Sequence, residues 1–221
     1  MNGAVTELAA DWIGSLLAHR LEIPCPAVEI ANLSAAALAT APPAVREWGK
    51  PGPAFASQEL VASKAIDSDH ELVNIARRDG GAAATLGSLY ALDIWLEVLD
   101  RQKPDGSWNL LRDLSADSLC VIDFGKGLTS CLQVIFGGRP VALDSFYPAS
   151  VRLVADTSSA LATCTMIEAI TEPELEDIIS SVPSAWLPNS SRPRILSFLG
   201  NRAGLIRRSC ERMHEGGPTW S

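Results

Sequence analysis

The apolar positions in residues 5–20, VTELAADWIGSLLAHR, recur with a period close to that of an α-helix. Four apolar side chains fall on one face of that helix: Leu8, Trp12, Leu16 and Leu17. The pattern therefore predicts an amphipathic helix, which the following prolines end. The alternating segment AVEIANL then predicts a β-strand. The next segment, ATAPPAVREWGKPGPAF, is rich in proline and glycine and is predicted to be a loop.

The second half of the chain is mostly helical in pattern. A long helix is predicted from Ala83 to Leu99, just before Asp100. Two short apolar segments, WNLLRDL and LCVIDF, flank the polar sequence SADS and predict a β-hairpin. Three further helices are predicted in TSSALATCTMIEAIT, TEPELEDIISSVP and SRPRILSFLGNRAGLIRRSCERM; the second opens with Thr171 as its N-cap and Glu174 completing a capping box. This order predicts an α+β fold that is mainly helical with a small β-hairpin.

Composition narrows the classes of protein. The 221 residues are 47% apolar, which is enough to bury a core. The net charge of −8 argues against a broad basic surface, so no direct binding of nucleic acid is expected. No apolar run reaches about 18 residues and the N-terminus lacks a basic leader, so neither a membrane span nor a signal peptide is predicted. Five cysteines without a CxxC pair indicate free thiols in a reducing cytoplasm rather than a zinc site.

Residues 96–128, LEVLDRQKPDGSWNLLRDLSADSLCVIDFGKGL, contain the candidate chemistry. Asp100 follows the predicted helix, Asn109 lies at the start of the hairpin, and Asp123 follows its end. The hairpin should bring two carboxylates and a carboxamide together, and such hard oxygen ligands suit Mg²⁺. The remaining acid can orient or deprotonate a hydroxyl, as in kinase-type phosphoryl transfer. The alternative interpretation is that these acids make only local hydrogen bonds in turns.

LDIWLEVLDR, followed by NLL and VIDFG, resembles the HipA-like kinases, bacterial relatives of the phosphatidylinositol-kinase-like fold. The segments ELAADWIGSLLAHRLEIPCPAVEI, GPAFASQEL and ITEPELEDIISSVPSAWL are also similar to this family, so the resemblance covers about residues 5–208. It implies a helical, protein-kinase-like C-lobe with a catalytic-type loop and hairpin in residues 61–221. Residues 1–60 would be the remnant of an N-lobe, with one helix, one or two strands and a hinge-like segment.

The resemblance also implies roles for individual residues. Asp100 would be the catalytic acid beside the substrate hydroxyl, while Asn109 and Asp123 would be the metal ligands. Glu7 would pair with the lysine that contacts ATP, so Glu7, Asn109 and Asp123 together are the expected cofactor-binding residues. The implied cofactors are Mg²⁺ and ATP. Lys126 is open to two interpretations, a solvated turn residue or a phosphate contact.

Two of these positions also have local interpretations. Glu7 is equally explained as a first-turn acid favoured by the helix dipole. Asp93 resembles a frequent family aspartate, and its local interpretation is that it only caps a helix or pairs with a nearby residue.

The chain departs from the family pattern in two ways. The sequence QKPDG lengthens the loop between Asp100 and Asn109, and Val98 stands where relatives often have asparagine. No glycine-rich phosphate loop and no strand lysine precede Glu7. We expect a truncated N-lobe, interpreted as a kinase-derived remnant, a start at an internal methionine, or a lobe supplied by another polypeptide. ATP binding by the chain alone is then predicted to be weak, at about 0.1 mM or poorer.

Two functions from different classes remain. The first is an ATP-dependent kinase that phosphorylates a hydroxyl of Ser/Thr or of a small molecule. The second is a non-catalytic, pseudokinase-like scaffold, which would bind a protein partner or self-associate through an exposed apolar face of the N-terminal helix. HipA proteins act beside DNA-binding partners, but the acidic chain contains no recognition helix, and its six tryptophans are predicted to pack in the core.

Overall fold

The computed structural model describes residues 3–132 and 147–215. It is about 52% helical with 14% strand, and its strands form two small antiparallel sheets. This confirms the predicted α+β, mainly helical fold. Within the described ranges, no helix is both long enough and apolar enough to cross a membrane.

The N-terminal part contains the first sheet. Its elements are α1 (Gly3–Arg20), β1 (Val28–Leu33), α2 (Ala35–Thr40), α3 (Pro43–Trp48) and β2 (Gly52–Ser57). The predicted helix and strand are confirmed, but the predicted loop is wrong because it contains α3 and most of β2. Proline is tolerated at the first helical position, where Pro43 lies. Pro53 is tolerated in β2 because a two-stranded sheet has only edge strands.

The second sheet confirms the predicted hairpin and adds a strand to it. Its strands are β3 (Ser63–Ile66), β4 (Trp108–Asp113) and β5 (Ser118–Val121), in the order β3-β4-β5. All neighbours are antiparallel, with Lys64 opposite Arg112 and Leu111 opposite Cys120. Because β3 has only four residues, its sequence SKAI shows too little alternation to be predicted.

Two helices, α4 (Asp69–Arg78) and α5 (Gly80–Leu96), connect β3 to β4 within the second sheet. The predicted long helix is α5, shifted by three residues at each end. Asp79 begins it by accepting a hydrogen bond from the Gly81 N–H at 2.8 Å. Glu97 ends it with a left-handed backbone, φ 54°. Leu86, Trp95 and many other α5 side chains are buried on all sides, so α5 is the central helix of the core.

The C-terminal part is helical. Its elements are α6 (Thr129–Leu132), α7 (Ala149–Arg152), α8 (Thr157–Glu168), α9 (Glu172–Ser180), a 3₁₀ turn (Asn189–Ser191), α10 (Arg192–Ala203) and α11 (Arg207–Glu211). The capping box of α9 is confirmed, with reciprocal hydrogen bonds between Thr171 and Glu174. The prediction of one final helix is wrong because the chain turns at Gly204, where the Leu205 N–H bonds to the Arg202 carbonyl at 2.9 Å.

Helix α1 is more deeply buried than an amphipathic helix on the protein surface. Ile13 and Leu17 are fully buried, and Ser15 on another side is buried as well. Leu8 and Leu16 pack against the core while partly buried. The expectation that this helix presents an exposed apolar face is therefore wrong for its described side chains. Binding of a protein partner stays a prediction without that support.

Candidate functional site

Arg101 organises the loop between α5 and β4. Its side chain is 2% exposed and makes two hydrogen bonds of 2.9 Å to the Asp93 carboxylate. Its Nη1 also donates to three backbone carbonyls, those of Asn109 (3.1 Å), Ile122 and Asp123 (3.1 Å). One guanidinium therefore ties the end of α5 to β4 and to the segment that follows β5. Sequence reasoning gave Arg101 no role.

Asp93 is held by more than a local pairing. In addition to its ion pair with Arg101, its Oδ2 accepts a hydrogen bond from the Tyr147 hydroxyl at 2.7 Å. Asp93 is 3% exposed, and a buried carboxylate needs such partners because burial removes its hydration. The pair with Arg101, eight residues further along the chain, agrees with a local interpretation, but the bond to Tyr147, 54 residues away, shows that Asp93 does more than pair locally.

Asn109 remains beside Asp100 despite the inserted sequence. The Asn109 N–H donates to the Arg101 carbonyl at 2.9 Å, and its Nδ2 donates to the Asp100 carbonyl at 3.1 Å. The insertion closes on itself, because the Lys103 N–H bonds to the Ser107 carbonyl at 2.7 Å. Gly106 permits this tight turn with a φ of 87°. The extra residues therefore project from the loop without separating its two polar residues.

Two acceptors in this loop are buried without a hydrogen-bond partner within the described residues: Oδ1 of Asp100 and Oδ1 of Asn109. An unsatisfied buried acceptor costs about 1–3 kcal/mol, so its presence calls for a bound ion, ligand or water. Burial raises the pKa of the Asp100 carboxyl, and the negative charge of Asp123 raises it further. Asp100 and Asp123 are thus close enough to interact electrostatically.

The Asp-Phe-Gly sequence forms a tight turn after β5. Asp123 has a left-handed backbone, φ 60°, and its Oδ1 accepts a hydrogen bond from the Gly125 N–H at 3.2 Å. A Cβ at Gly125 would lie 3.4 Å from that oxygen and 3.2 Å from Asp11 Oδ2, so the turn leaves little space there. Phe124 is buried, and the Arg101 guanidinium lies 4.9 Å from its ring centroid.

Asp11 on α1 is a site residue that sequence reasoning missed. Its Oδ1 accepts a hydrogen bond of 2.6 Å from the Phe124 N–H, so it fixes the backbone next to Asp123. Burial raises the pKa of Asp11 to about 6, although the Phe124 hydrogen bond opposes the shift. Glu7 and Asp11 are four residues apart and so share a helix face. That spacing was the available signal, but it does not indicate contact with a turn 113 residues away.

Glu7 pairs with Lys126, the residue after Gly125. The two side chains are 34% and 48% exposed, so the pair is accessible to solvent. The hydrogen bond to Glu7 raises the pKa of Lys126, and the charges of Glu7, Asp100 and Asp123 act in the same direction. Glu7 lies beyond the first turn of α1, so its interpretation as a first-turn dipole acid is wrong.

The oxygen donors of this site suit Mg²⁺, and they do not suit a metal whose ligands must all be protein side chains. No three His, Cys, Asp or Glu side chains are arranged to hold a metal among residues 3–132 and 147–215. Mg²⁺, however, commonly uses one or two side chains and completes its shell with phosphate oxygens and water. Asn109 offers an unpartnered Oδ1, and the exposed Asp123 carboxylate retains acceptor capacity beyond its bond to Gly125.

A mainly helical domain whose Asp-Arg loop, asparagine and Asp-Phe-Gly turn meet at a hairpin defines a kinase-like protein. The family model for HipA-like kinases matches residues 1–199, and the chain belongs to this family. The resemblance inferred from the sequence is thereby confirmed. No curated protein and no solved structure matches the chain. The domain division near residue 60 and the roles of the individual site residues stay predictions.

Proposed function

We propose that this protein is an ATP-dependent kinase that transfers a phosphoryl group to a hydroxyl in the presence of Mg²⁺. The observation that carries the proposal is the pair of buried, unpartnered Oδ1 atoms of Asp100 and Asn109, next to the Asp123 turn. Oxygen acceptors without donors are the groups that a divalent cation or a substrate hydroxyl satisfies. Membership of the HipA-like family supports the same reaction class.

Each polar residue takes one role in this proposal. Asn109 and Asp123 hold Mg²⁺, and Glu7 holds the Lys126 side chain near the Asp123 turn before the nucleotide binds. When bound, Mg·ATP supplies the transferable phosphoryl group, and the metal offsets the charge of its oxygens. Asp100 orients the substrate hydroxyl and accepts its proton. The raised pKa of Asp100 makes it a stronger base than an ordinary aspartate.

Arg101 and Asp11 act as positioning residues for this chemistry. Arg101 holds the carbonyls of Asn109 and Asp123, and Asp11 holds the N–H of Phe124. The backbone at the proposed metal ligands is thus held by side chains from the loop after α5 and from α1. Such preorganisation matters because a misplacement of about 1 Å can reduce a rate by about a hundredfold.

The test is ADP formation from Mg·ATP by the full chain, compared between wild type and two variants in the same loop. Asp100→Asn should lower the rate by about 10²–10⁴-fold, because it removes the proton acceptor. Asp105→Asn is the matched control, because Asp105 is exposed and its hydrogen bonds reach only Ser107. Equal rates in wild type and Asp100→Asn would reject the proposed role of Asp100.

The alternative is a non-catalytic scaffold of the pseudokinase type. A scaffold would form no ADP, either as wild type or as Asp100→Asn. The substitution would also leave Mg·ATP binding unchanged, so that both proteins bind the nucleotide or neither does. This alternative partly depended on an apolar face of α1 that was expected to be exposed, and the structure shows that this face packs into the core. We therefore favour the kinase, and self-association or partner binding stays a prediction for measurement by analytical ultracentrifugation.

A further inference from the structure

We propose that Lys126 is the phosphate-binding cation of this site, and that it exchanges its ion pair with Glu7 for the phosphate chain of the nucleotide. This inference rests on the proposed kinase function and adds to it a residue with a defined role. The observations that support it are the balance of charge around the site, the state of the neighbouring cations and the accessibility of the Glu7–Lys126 pair.

Negative charge dominates the site. It contains four carboxylates, Glu7, Asp11, Asp100 and Asp123: the charges of Asp123 and Glu7 raise the pKa of Asp11, and the charge of Asp123 raises the pKa of Asp100. A polyphosphate would add more negative charge, so its binding requires positive charge from Mg²⁺ and from the protein. A protein cation near Asp123 is therefore a physical requirement of nucleotide binding here.

Of the residues that the structure describes, Arg101 and Lys126 are cations that influence Asp100, and of these two Lys126 is the one that can take a new partner. Arg101 is buried, with its Nε and Nη2 bonded to Asp93 and its Nη1 bonded to backbone carbonyls. Moving it would dismantle the loop. The Lys126 side chain is half exposed, and among the described residues it forms an ion pair with Glu7, whose side chain is about a third exposed.

Lys126 also has the anchoring that a binding residue needs. Its carbonyl accepts a hydrogen bond of 2.7 Å from the Thr129 hydroxyl, and the next N–H, of Gly127, bonds to the Phe124 carbonyl at 2.8 Å. The backbone is thus fixed three residues after Asp123, while the four-carbon side chain can reorient. A lysine ammonium binds phosphate as a compact point charge.

Exchange of partners is favourable on electrostatic grounds. Solvent-exposed ion pairs are weak because water and salt screen them. The phosphate chain carries more negative charge than the Glu7 carboxylate, even after Mg²⁺ offsets part of it. Glu7 therefore competes with phosphate for Lys126 but does not prevent binding. The competing explanation is that the ion pair only braces α1 against the Asp123 turn.

The experiment compares Lys126→Met with Lys64→Met as the matched control. Lys64 also forms an exposed ion pair, with Glu71 at 2.6 Å and side chains 54% and 25% exposed. The affinities of the full chain for Mg·ATP, Mg·tripolyphosphate and adenosine are measured by ligand-observed NMR. Tripolyphosphate tests the phosphate contact without the base, and adenosine tests the base without phosphate.

Loss of one charge-assisted contact should weaken both phosphate ligands by about ten- to a hundredfold in Lys126→Met, with adenosine and Lys64→Met unchanged. Glu7→Gln removes the competitor and should tighten Mg·tripolyphosphate by more than about twofold. This variant keeps the test decisive if Lys126→Met does not fold.

Four results would overturn the proposal. Phosphate affinities in Lys126→Met within about twofold of wild type would remove Lys126 from the site while leaving the kinase function intact. Equal losses for adenosine and the phosphate ligands, or a weaker Mg·tripolyphosphate complex in Glu7→Gln, would indicate a structural brace. Wild type that binds neither Mg·ATP nor Mg·tripolyphosphate would reject the proposed function together with this inference.

Discussion

Two buried arginine–carboxylate pairs lie at the C-terminal end of α5. The two arginines bind different backbone groups. Arg101 pairs with Asp93 on the side of the candidate site, and Arg202 pairs with Glu97 at 3.0 Å on the side of α10. All four side chains are at most 7% exposed. The two regions thus use the same chemistry in the same kind of environment, and what separates them is the set of backbone groups that each arginine holds.

The Arg202 pair completes the scaffold. Its guanidinium donates to the carbonyls of Ile94 and Trp95 (3.1 Å), which lie in the last turn of α5. Glu97 also accepts a hydrogen bond from the Ser130 N–H at 3.1 Å. The Arg202 pair therefore ends one helix and joins it to two others.

The Arg101 pair instead holds carbonyls that belong to the site. Its three backbone partners lie at Asn109 and in the segment that leads into the Asp123 turn. Next to this pair are the unpartnered acceptors of Asp100 and Asn109. The comparison shows that the backbone groups beside a buried ion pair decide whether the pair stabilises the fold or positions the candidate site.

The largest expected effect comes from removing either arginine. Arg101→Met and Arg202→Met should each lower the free energy of unfolding by about 3–5 kcal/mol, because each leaves a buried carboxylate unpaired. Urea denaturation measures this loss. Under conditions in which both variants are folded, Mn²⁺ binding by electron paramagnetic resonance should be lost in Arg101→Met and kept in Arg202→Met.

Arg112→Met is the control for this comparison. Arg112 forms an ion pair with Asp117 whose side chains are 37% and 73% exposed, so its removal should change stability by less than about 1 kcal/mol. Equal Mn²⁺ binding in the Arg101 and Arg202 variants would contradict the division into site and scaffold.

A second pair of changes tests the packing of the two regions. A Cβ at Gly14 would lie 2.4 Å from Phe124 Cγ, and one at Gly87 would lie 2.0 Å from the Asp156 carbonyl oxygen. Gly14→Ala and Gly87→Ala should each destabilise the protein by about 1–3 kcal/mol through overpacking. Only Gly14→Ala should also weaken Mn²⁺ binding, because it displaces the neighbour of Asp123.

Gly200 in α10 provides the control for both glycines. No atom outside its local helix lies within 4 Å of a Cβ placed there, so Gly200→Ala should stabilise α10 by about 0.5–1 kcal/mol. Destabilisation by Gly200→Ala of the same size as at the other two glycines would show that close packing is not the cause.

Local sequence signals predicted the elements of this fold better than the contacts between them. The capping box at Thr171 and the hairpin around SADS depend on neighbouring residues, and both are confirmed. The role of Asp11 depends on a backbone N–H more than 100 residues away, and no local pattern encodes that contact. The Asp-Phe-Gly sequence nevertheless indicated where the candidate site lies, because its motif spacing is local.

The third prediction concerns the metal. Asp123→Asn should weaken Mn²⁺ or Mg²⁺ binding by at least about tenfold, because it removes a full negative charge from the proposed ligand. The fold should survive because asparagine tolerates the left-handed backbone of this position. Asp117→Asn is the control, since Asp117 also has a positive φ, 47°, at the other end of the hairpin. Equal metal affinity in wild type and Asp123→Asn would reject the ligand assignment.

The smallest expected effect lies on the scaffold side, at the N-cap of α8. Asp156 accepts hydrogen bonds from the Ser158 and Ser159 hydroxyls, both at 2.6 Å, and these bonds lower its pKa from 3.8 to about 2. A lowered pKa means that the folded state favours the carboxylate. Its stabilisation is therefore complete above about pH 4 and is lost as the pH falls through about 2.

Asp156→Asn tests this pH dependence because asparagine keeps a capping oxygen and loses only the charge. Wild type should be more stable than the variant by less than about 1 kcal/mol at neutral pH, since the carboxylate is largely solvated and screened. Urea denaturation between about pH 7 and pH 2 should show the difference shrinking towards zero at the acid end. A difference that stays constant over that range would mean that the ionised carboxylate is not its source. Mn²⁺ binding should be unchanged in Asp156→Asn at neutral pH, because α8 contributes no residue to the candidate site.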